Sequence, residues 1–128
     1  MRGIGRLAIM AAFMLGAAPM AHAQQPSFVV FFQEWSAAVD GPAQDVIAKA
    51  AAYARAHPAA ITHVTGFADP TGSRQANVLL SELRAQVVAD GLASAGVAPA
   101  RISKVGRGSV QFAASSLESR RVEIRVGQ

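Results

Sequence analysis

The segment VTGFADPTG at residues 64–72 decides how the rest of the sequence is interpreted. It begins as a predicted strand and ends in a turn, because a residue before proline is pushed into the extended region and a flexible glycine follows. A periodic segment that contains LSELRA at residues 80–85 comes next. Asp69 therefore lies at the end of a strand, and Arg84 lies fifteen residues further on, in a helix. We expect these two charges to form one binding site.

The helix that contains Arg84 is predicted to run from Arg74 or Gln75 to Ala95, with Gly96 as its C-terminal cap. At about 100° per residue, one face of this helix is apolar, and we expect that face to pack on the sheet. Its members are Ala76, Leu79, Leu80, Leu83 and Val87. Asn77 and Arg84 lie on the flank of this stripe, where partial exposure is expected.

The remaining elements extend outward from this pair. The apolar run at residues 28–32 is typical of a buried strand, and Asp40-Gly41-Pro42 begins a helix that ends at His57-Pro58. Further strands are predicted at residues 61–68, 102–106 and 121–126, with a break at residues 106–108 and a loop at residues 111–119. The order β-α-β-α-β-β favours an α+β fold, a two-layer sandwich with two helices packed on a mixed four-stranded sheet.

The N-terminus has the pattern of a cleavable secretory signal peptide. Arg2 and Arg6 precede an apolar run at residues 7–18, and the small-residue site Ala21-His22-Ala23 follows. A membrane anchor is the alternative, but the run is shorter than the roughly 20 apolar residues that a spanning helix needs. The sequence therefore predicts a signal peptide at residues 1–23 and one domain at residues 24–128, without a transmembrane segment in the mature chain.

Composition excludes several classes of function. The chain has no cysteine, so thiol chemistry, thiolate metal sites and a lipid-modified cysteine are excluded. His57 and His63 are the only histidines after residue 23, and we expect neither a metal nor a cofactor. The mature chain has ten basic and eight acidic residues, a net charge of +2. With no long basic run, binding to nucleic acid is not expected.

Asp69 and Arg84 suit a small zwitterion. Arg84 lies roughly 10–15 Å along its helix, and its long side chain leans back toward the helix start, which leaves a gap of a few Å. Asp69 could bind an ammonium group and Arg84 a carboxylate, with Thr71 and the first N–H groups of the helix as further donors. A plain Asp69–Arg84 salt bridge is the alternative. A clamp of this kind requires both groups to be accessible and to face one another.

Several motifs resemble the OmpA-like peptidoglycan-binding domain, found in OmpA, Pal and MotB. They are residues 64–72, Asn77, residues 80–85, Gly96-Val97, residues 101–103 and residues 120–124. The resemblance implies the same β-α-β-α-β-β fold and non-covalent binding, in the periplasm, of the peptidoglycan stem peptide. It implies that Asp69 and Arg84 hold the diaminopimelate residue and that Thr71, Asn77 and Arg120 help to line the site. It also allows for envelope proteins as further partners.

The sequence departs from the family pattern around the site. Phe67-Ala68 replaces Tyr or His followed by Thr, Ser119 replaces Asn, residues 33–35 are Gln-Glu-Trp where Asp or Asn is usual, and the loop after Gly108 is shorter than in most members. An interaction module that has lost wall binding is therefore the alternative function. No catalytic residues are expected, because there is no G-x-S-x-G pattern and no metal cluster. Trp35 is interpreted as a loop anchor, with stacking on a ligand as the alternative.

Overall fold

A computed structural model describes residues 26–109 and 116–127, which form four strands and three helices. In chain order these are β1 (Ser27–Phe31), α1 (Gly41–Ala56), β2 (Ile61–Ala68), α2 (Arg74–Ser94), β3 (Ile102–Ser109), α3 (Ser116–Ser119) and β4 (Arg121–Gly127). The predicted α+β fold is confirmed. Helix α3, a single turn, was not among the predicted elements. The predicted signal peptide and residues 110–115 of the predicted loop lie outside the described residues.

The four strands form one mixed sheet in the order β1-β4-β2-β3. Strand β2 runs parallel to β3 and antiparallel to β4, and β1 pairs with β4 at the edge. The predicted break at residues 106–108 is wrong, because β3 continues to Ser109 through a register shift opposite Gly66 and Ala68. The expectation of a fully buried first strand is also wrong. As an edge strand β1 buries Val30, whereas Phe31 is exposed.

Both long helices begin at a capping side chain, of which the sequence predicted Asp40 and not Ser73. The side chain of Asp40 accepts a hydrogen bond from the amide of Ala43, and the hydroxyl of Ser73 accepts one from the amide of Ala76. Each such cap is worth about 1 kcal/mol, because it satisfies a backbone donor that the helix leaves unpaired. Helix α1 ends before His57-Pro58 as expected, so local sequence signals fix the bounds of both helices.

The buried face of α2 is not the predicted leucine stripe. Leu79 and Leu83 are 59% and 52% exposed. The buried residues are instead Asn77, Ser81, Arg84, Ala85, Val88, Ala89 and Leu92. A Cβ atom at Gly66 or at Gly106 would overlap the backbone of α2, so the helix lies directly on β2 and β3. Only a face of small residues permits so close an approach, and the leucines are therefore turned outward.

The core lies between the helices and one side of the sheet. Its larger members are Val30, Phe32, Ile47, Val64, Val88, Leu92, Val122 and Ile124, and α1 adds several alanines beside Ile47. The sequence left open which alternate residues of β2 face inward, and burial now identifies the set that contains Thr62 and Val64. Among residues 26–109 and 116–127, no helix combines the length and the apolar character needed to cross a bilayer.

Candidate functional site

A notch lies where β2 ends, α2 begins and the loop after β1 crosses over them. The residues that line it are Glu34, Trp35, Asp69, Thr71, Asn77, Leu80 and Arg84. Four of the five predicted site residues are among them, and the fifth, Arg120, binds Asp69. The free volume of the notch is about 10 Å³, which is the room needed for one water molecule. The structure therefore brings the predicted residues together around a space too small for an amino acid.

Asp69 is 7% exposed and is held by the segment that precedes β4. Its carboxylate accepts a hydrogen bond from the hydroxyl of Ser119 and pairs with Nη1 of Arg120 at 3.3 Å. Nε of Arg120 also donates to the carbonyl of Phe32 at 3.2 Å, which connects this ion pair to the end of β1. The negative charge of Asp69 is thus already partly neutralised within the protein.

Arg84 is completely buried and binds three backbone carbonyls. Its guanidinium donates from Nε to Ser36, from Nη1 to Phe67 and from Nη2 to Gln33, at 2.8, 3.0 and 2.9 Å. Burial lowers the pKa of Arg84 from its ordinary value to about 10, with Asp69 opposing the shift and Arg120 adding to it. The side chain therefore stays cationic at neutral pH and ties the loop after β1 to the end of β2.

Two geometric expectations for this pair are wrong. Arg84 is not on an exposed flank, because α2 is rotated so that the arginine faces the sheet. The gap between Asp69 and Arg84 has room for about one water molecule and not for an amino acid, because the loop at residues 33–36 fills most of the space in front of the guanidinium. The ion pair of Asp69 is made with Arg120 and not with Arg84. The requirement that both charged groups be accessible is not met in this conformation.

Hydrogen-bond donors at the start of α2 also bond to other groups of the protein. The amides of Ala76 and Asn77 donate to the hydroxyl and the carbonyl of Ser73. The buried side chain of Asn77 donates to the carbonyl of Thr71, which fixes the turn between β2 and α2. Thr71 itself is exposed at the mouth of the notch. Asn77 therefore shapes the site through the backbone of Thr71, and one of the expected helix-start donors, the amide of Ala76, is already used.

Trp35 closes the outer side of the notch. Its φ angle is +54°, a value uncommon for a residue with a side chain, and its indole lies over Gly72. A Cβ atom at Gly72 would come within 2.7 Å of the ring, so only glycine leaves room for this contact. The expected anchoring role is confirmed by this packing, although 53% of Trp35 remains exposed. Its stacking on a ligand stays a prediction.

The residues that depart from the family pattern lie in different parts of the structure. The side chain of Phe67 points to the helix-free side of the sheet, where the guanidinium carbon of Arg121 lies 4.2 Å from the ring centre. Only the carbonyl of Phe67 reaches the site. Ser119, which the resemblance placed around the site, donates a hydrogen bond to Asp69 directly. The sequence did not predict this bond, since Ser119 follows Asp69 by 50 residues and no local pattern connects the two.

Residues 31–125 match the OmpA family, which is most of the chain. The chain belongs to this family. The peptidoglycan-binding protein ArfA of Mycobacterium tuberculosis is 40% identical over 88 residues, which cover 64% of this chain and 27% of ArfA. The peptidoglycan-associated lipoprotein of Legionella pneumophila is 40% identical over 79 residues, 57% of this chain and 45% of the lipoprotein. The OmpA-like domain thus spans less than half of these relatives.

Solved OmpA-like structures share the fold. The peptidoglycan-associated lipoprotein of Burkholderia pseudomallei superposes with a TM-score of 0.71 at 26% identity, covering 77% of this chain and 89% of that one. The C-terminal domain of Helicobacter pylori MotB superposes with a TM-score of 0.67 at 27% identity, covering 80% of this chain and 84% of that one.

Within residues 26–109 and 116–127, no group of three His, Cys, Asp or Glu residues could hold a metal ion.

Proposed function

We propose that this OmpA-like domain binds peptidoglycan non-covalently in the periplasm, through the diaminopimelate of the stem peptide. The observation that supports this most directly is the position of Asp69, Thr71, Asn77 and Arg84 around one notch. Relatives that are 40% identical are described as peptidoglycan-binding and peptidoglycan-associated proteins. The domain acts as a binder without catalysis or a cofactor, and its predicted signal peptide accounts for export.

The charges of the notch suit the free amino-acid end of diaminopimelate. A carboxylate offers about four acceptor positions, so Asp69 can accept from an ammonium group in addition to Ser119 and Arg120. The guanidinium of Arg84 has five N–H donors, and three of them bind carbonyls. The other two, one on each terminal nitrogen, can form a two-point bond with a ligand carboxylate.

Binding requires the notch to open, because 10 Å³ does not hold an amino acid. Glu34 and Trp35 belong to the loop in front of Arg84, and Trp35 contacts the rest of the site through Gly72. Displacement of this short loop breaks the bonds of Arg84 to Gln33 and Ser36, uncovers the guanidinium, and leaves β2 and α2 in place. The indole of Trp35 then leaves Gly72 and either faces solvent or covers the ligand.

The only tryptophan of the chain makes this opening measurable. We expect the fluorescence emission of Trp35 to change, saturably, when a diaminopimelate stem peptide is added, because the indole exchanges its contact with Gly72 for a new environment. A titration followed by both fluorescence and calorimetry checks this. Heat of binding without any change in emission would contradict an opening that involves Trp35.

Replacing Asp69 with asparagine is expected to weaken binding to purified sacculi by about tenfold or more. The variant removes the charge that pairs with the ammonium group, and a hydrogen bond to a charged group is worth about 1.5–3 kcal/mol. The amide oxygen of asparagine can still accept from Ser119, so the fold is retained. Co-sedimentation with sacculi, together with thermal unfolding of the same samples, measures both effects.

Asp45→Asn is the matched control, since Asp45 is exposed on α1 and does not line the notch. It should bind as the wild type does. Sacculi with lysine in place of diaminopimelate form a second control, because lysine lacks the second carboxylate that Arg84 would bind. Equal binding by the wild type and Asp69→Asn, or equal binding to both wall types, would refute the assigned site.

A second function has support from one observation. Both charges of the notch are satisfied within the protein, and the notch is closed. This is the arrangement expected of an interaction module that keeps the OmpA-like fold and no longer binds the wall. Soaking crystals with diaminopimelate distinguishes the two functions, since an ordered ligand between Asp69 and Arg84 is compatible only with the first.

A further inference from the structure

A second cleft lies at the opposite end of the sheet from the notch. It is bounded by the end of α1, the end of α2 and the starts of β2 and β3. Thr62 lines this cleft and Asp69 lines the notch, and seven residues of extended strand separate them by about 23 Å. No residue lines both spaces. A ligand of the cleft would therefore bind independently of the proposed wall-binding site.

Two arginines give the cleft a positive charge. Arg55 comes from the last turn of α1, and Arg101 ends the turn that precedes β3. Nη1 of Arg55 donates to the carbonyl of Ala95 at 3.1 Å, and the side chain lies across Gly96, so this guanidinium has a fixed position. The described residues that line the cleft include no acidic side chain. The two positive charges therefore favour an anion between them.

Thr62 supplies a polar group that lacks a partner. The residue is 1% exposed, and its hydroxyl makes no hydrogen bond with any of the residues that the structure describes. A buried hydroxyl without a partner is destabilising, and buried polar groups in proteins are nearly always satisfied. Because Thr62 also lines the cleft, a bound molecule that enters deeply enough to reach this buried hydroxyl can satisfy it with an acceptor or donor oxygen.

The walls indicate the class of anion. Apart from the arginines and Thr62, the lining is mostly small and apolar, with Ala54, Pro58, Ala60 and Val97. The volume is about 170 Å³, against about 30 Å³ for one water molecule in the liquid. We propose that this cleft binds a small carboxylate with a short aliphatic group, whose oxygens lie between Arg55 and Arg101 and accept from the hydroxyl of Thr62.

A titration with sodium butyrate at constant ionic strength tests the proposal. The full mature chain is followed by NMR through the amides of Thr62, Gly96 and Val97, with sodium chloride and sodium phosphate as parallel titrants. We expect saturable shifts with butyrate, weaker ones with phosphate and none with chloride. Arg101→Gln and Thr62→Val should weaken the apparent affinity for butyrate by about tenfold or more, whereas Arg74→Gln on exposed α2 should not.

Thermal unfolding supplies an independent measurement. Without butyrate, Thr62→Val should unfold at the same temperature as the wild type or higher, because the variant removes an unpaired hydroxyl. Saturating butyrate should raise the Tm of the wild type and of Asp69→Asn, and that of Thr62→Val by less. Shifts that do not saturate, equal responses in the variants, equal responses to phosphate, or a lower Tm for Thr62→Val without butyrate would each overturn the proposal. None of these results bears on wall binding.

Discussion

Substituting Arg84 with methionine is expected to lower the free energy of unfolding by about 3–5 kcal/mol. Methionine retains much of the apolar volume but cannot donate to the carbonyls of Gln33, Ser36 and Phe67. Those carbonyls lose charge-assisted bonds at the point where the loop after β1 meets the end of β2. The cost of burying the cation, visible in its lowered pKa, is relieved by the substitution and partly offsets the loss. Urea unfolding followed by circular dichroism gives the difference.

Arg84→Lys should fall between the wild type and Arg84→Met. Lysine keeps the charge but has no planar fork, so it cannot reach all three carbonyls at once. Arg74→Met, at the exposed first residue of α2, is the matched control and should change stability by less than about 0.5 kcal/mol. An Arg84→Met variant as stable as the wild type would contradict a structural role for this guanidinium.

Gly66→Ala is expected to destabilise the domain by about 3 kcal/mol. The added methyl group would overlap the carbonyl of Ser81, and a helix backbone cannot rotate away as a flexible side chain can. Alanine loses less conformational entropy on folding than glycine, which favours the variant by roughly 0.5–1 kcal/mol, but the overlap outweighs this gain. Chemical unfolding measures the net effect.

Ser103→Ala provides a comparison in the same sheet, since Ser103 is exposed on β3 and pairs with His63 of β2. Its effect should stay within about 0.5 kcal/mol. If Gly66→Ala is as stable as Ser103→Ala, then α2 can move away from β2 at little cost. The explanation given above for the buried face of α2 would then be wrong.

Local signals in the sequence were sufficient for the elements and their order. Asp40 and Ser73 cap the two helices, His57-Pro58 ends the first, and residues 61–68 form a strand with the predicted bounds. These features depend on backbone preferences that neighbouring residues determine. The fold class follows from the order of the elements, because helical connections restrict how the strands can pair.

Tertiary packing determines two features that the sequence did not predict, the buried face of α2 and the filling of the notch. The usual rule places leucines inside, but Gly66 and Gly106 bring α2 so close to the sheet that Ser81 and Ala85 must face it. The same rotation buries Arg84. The closure of the notch depends on the loop at residues 33–36, which reaches Arg84 from 48 and 51 residues away. Periodicity within one helix contains no information about either contact.

The three hydrogen bonds that Arg84 donates to carbonyls also affect which substitutions are tolerated at this position in related chains. A descendant that stopped binding the wall would still need the guanidinium in order to fold, so selection for stability alone would keep it. Asp69 is held by one ion pair, with Arg120, and one hydrogen bond, from Ser119, and is under less pressure of that kind. The presence of Arg84 in a related chain therefore does not indicate that the chain binds a ligand. Loss of Asp69, in contrast, would indicate a domain whose function has changed.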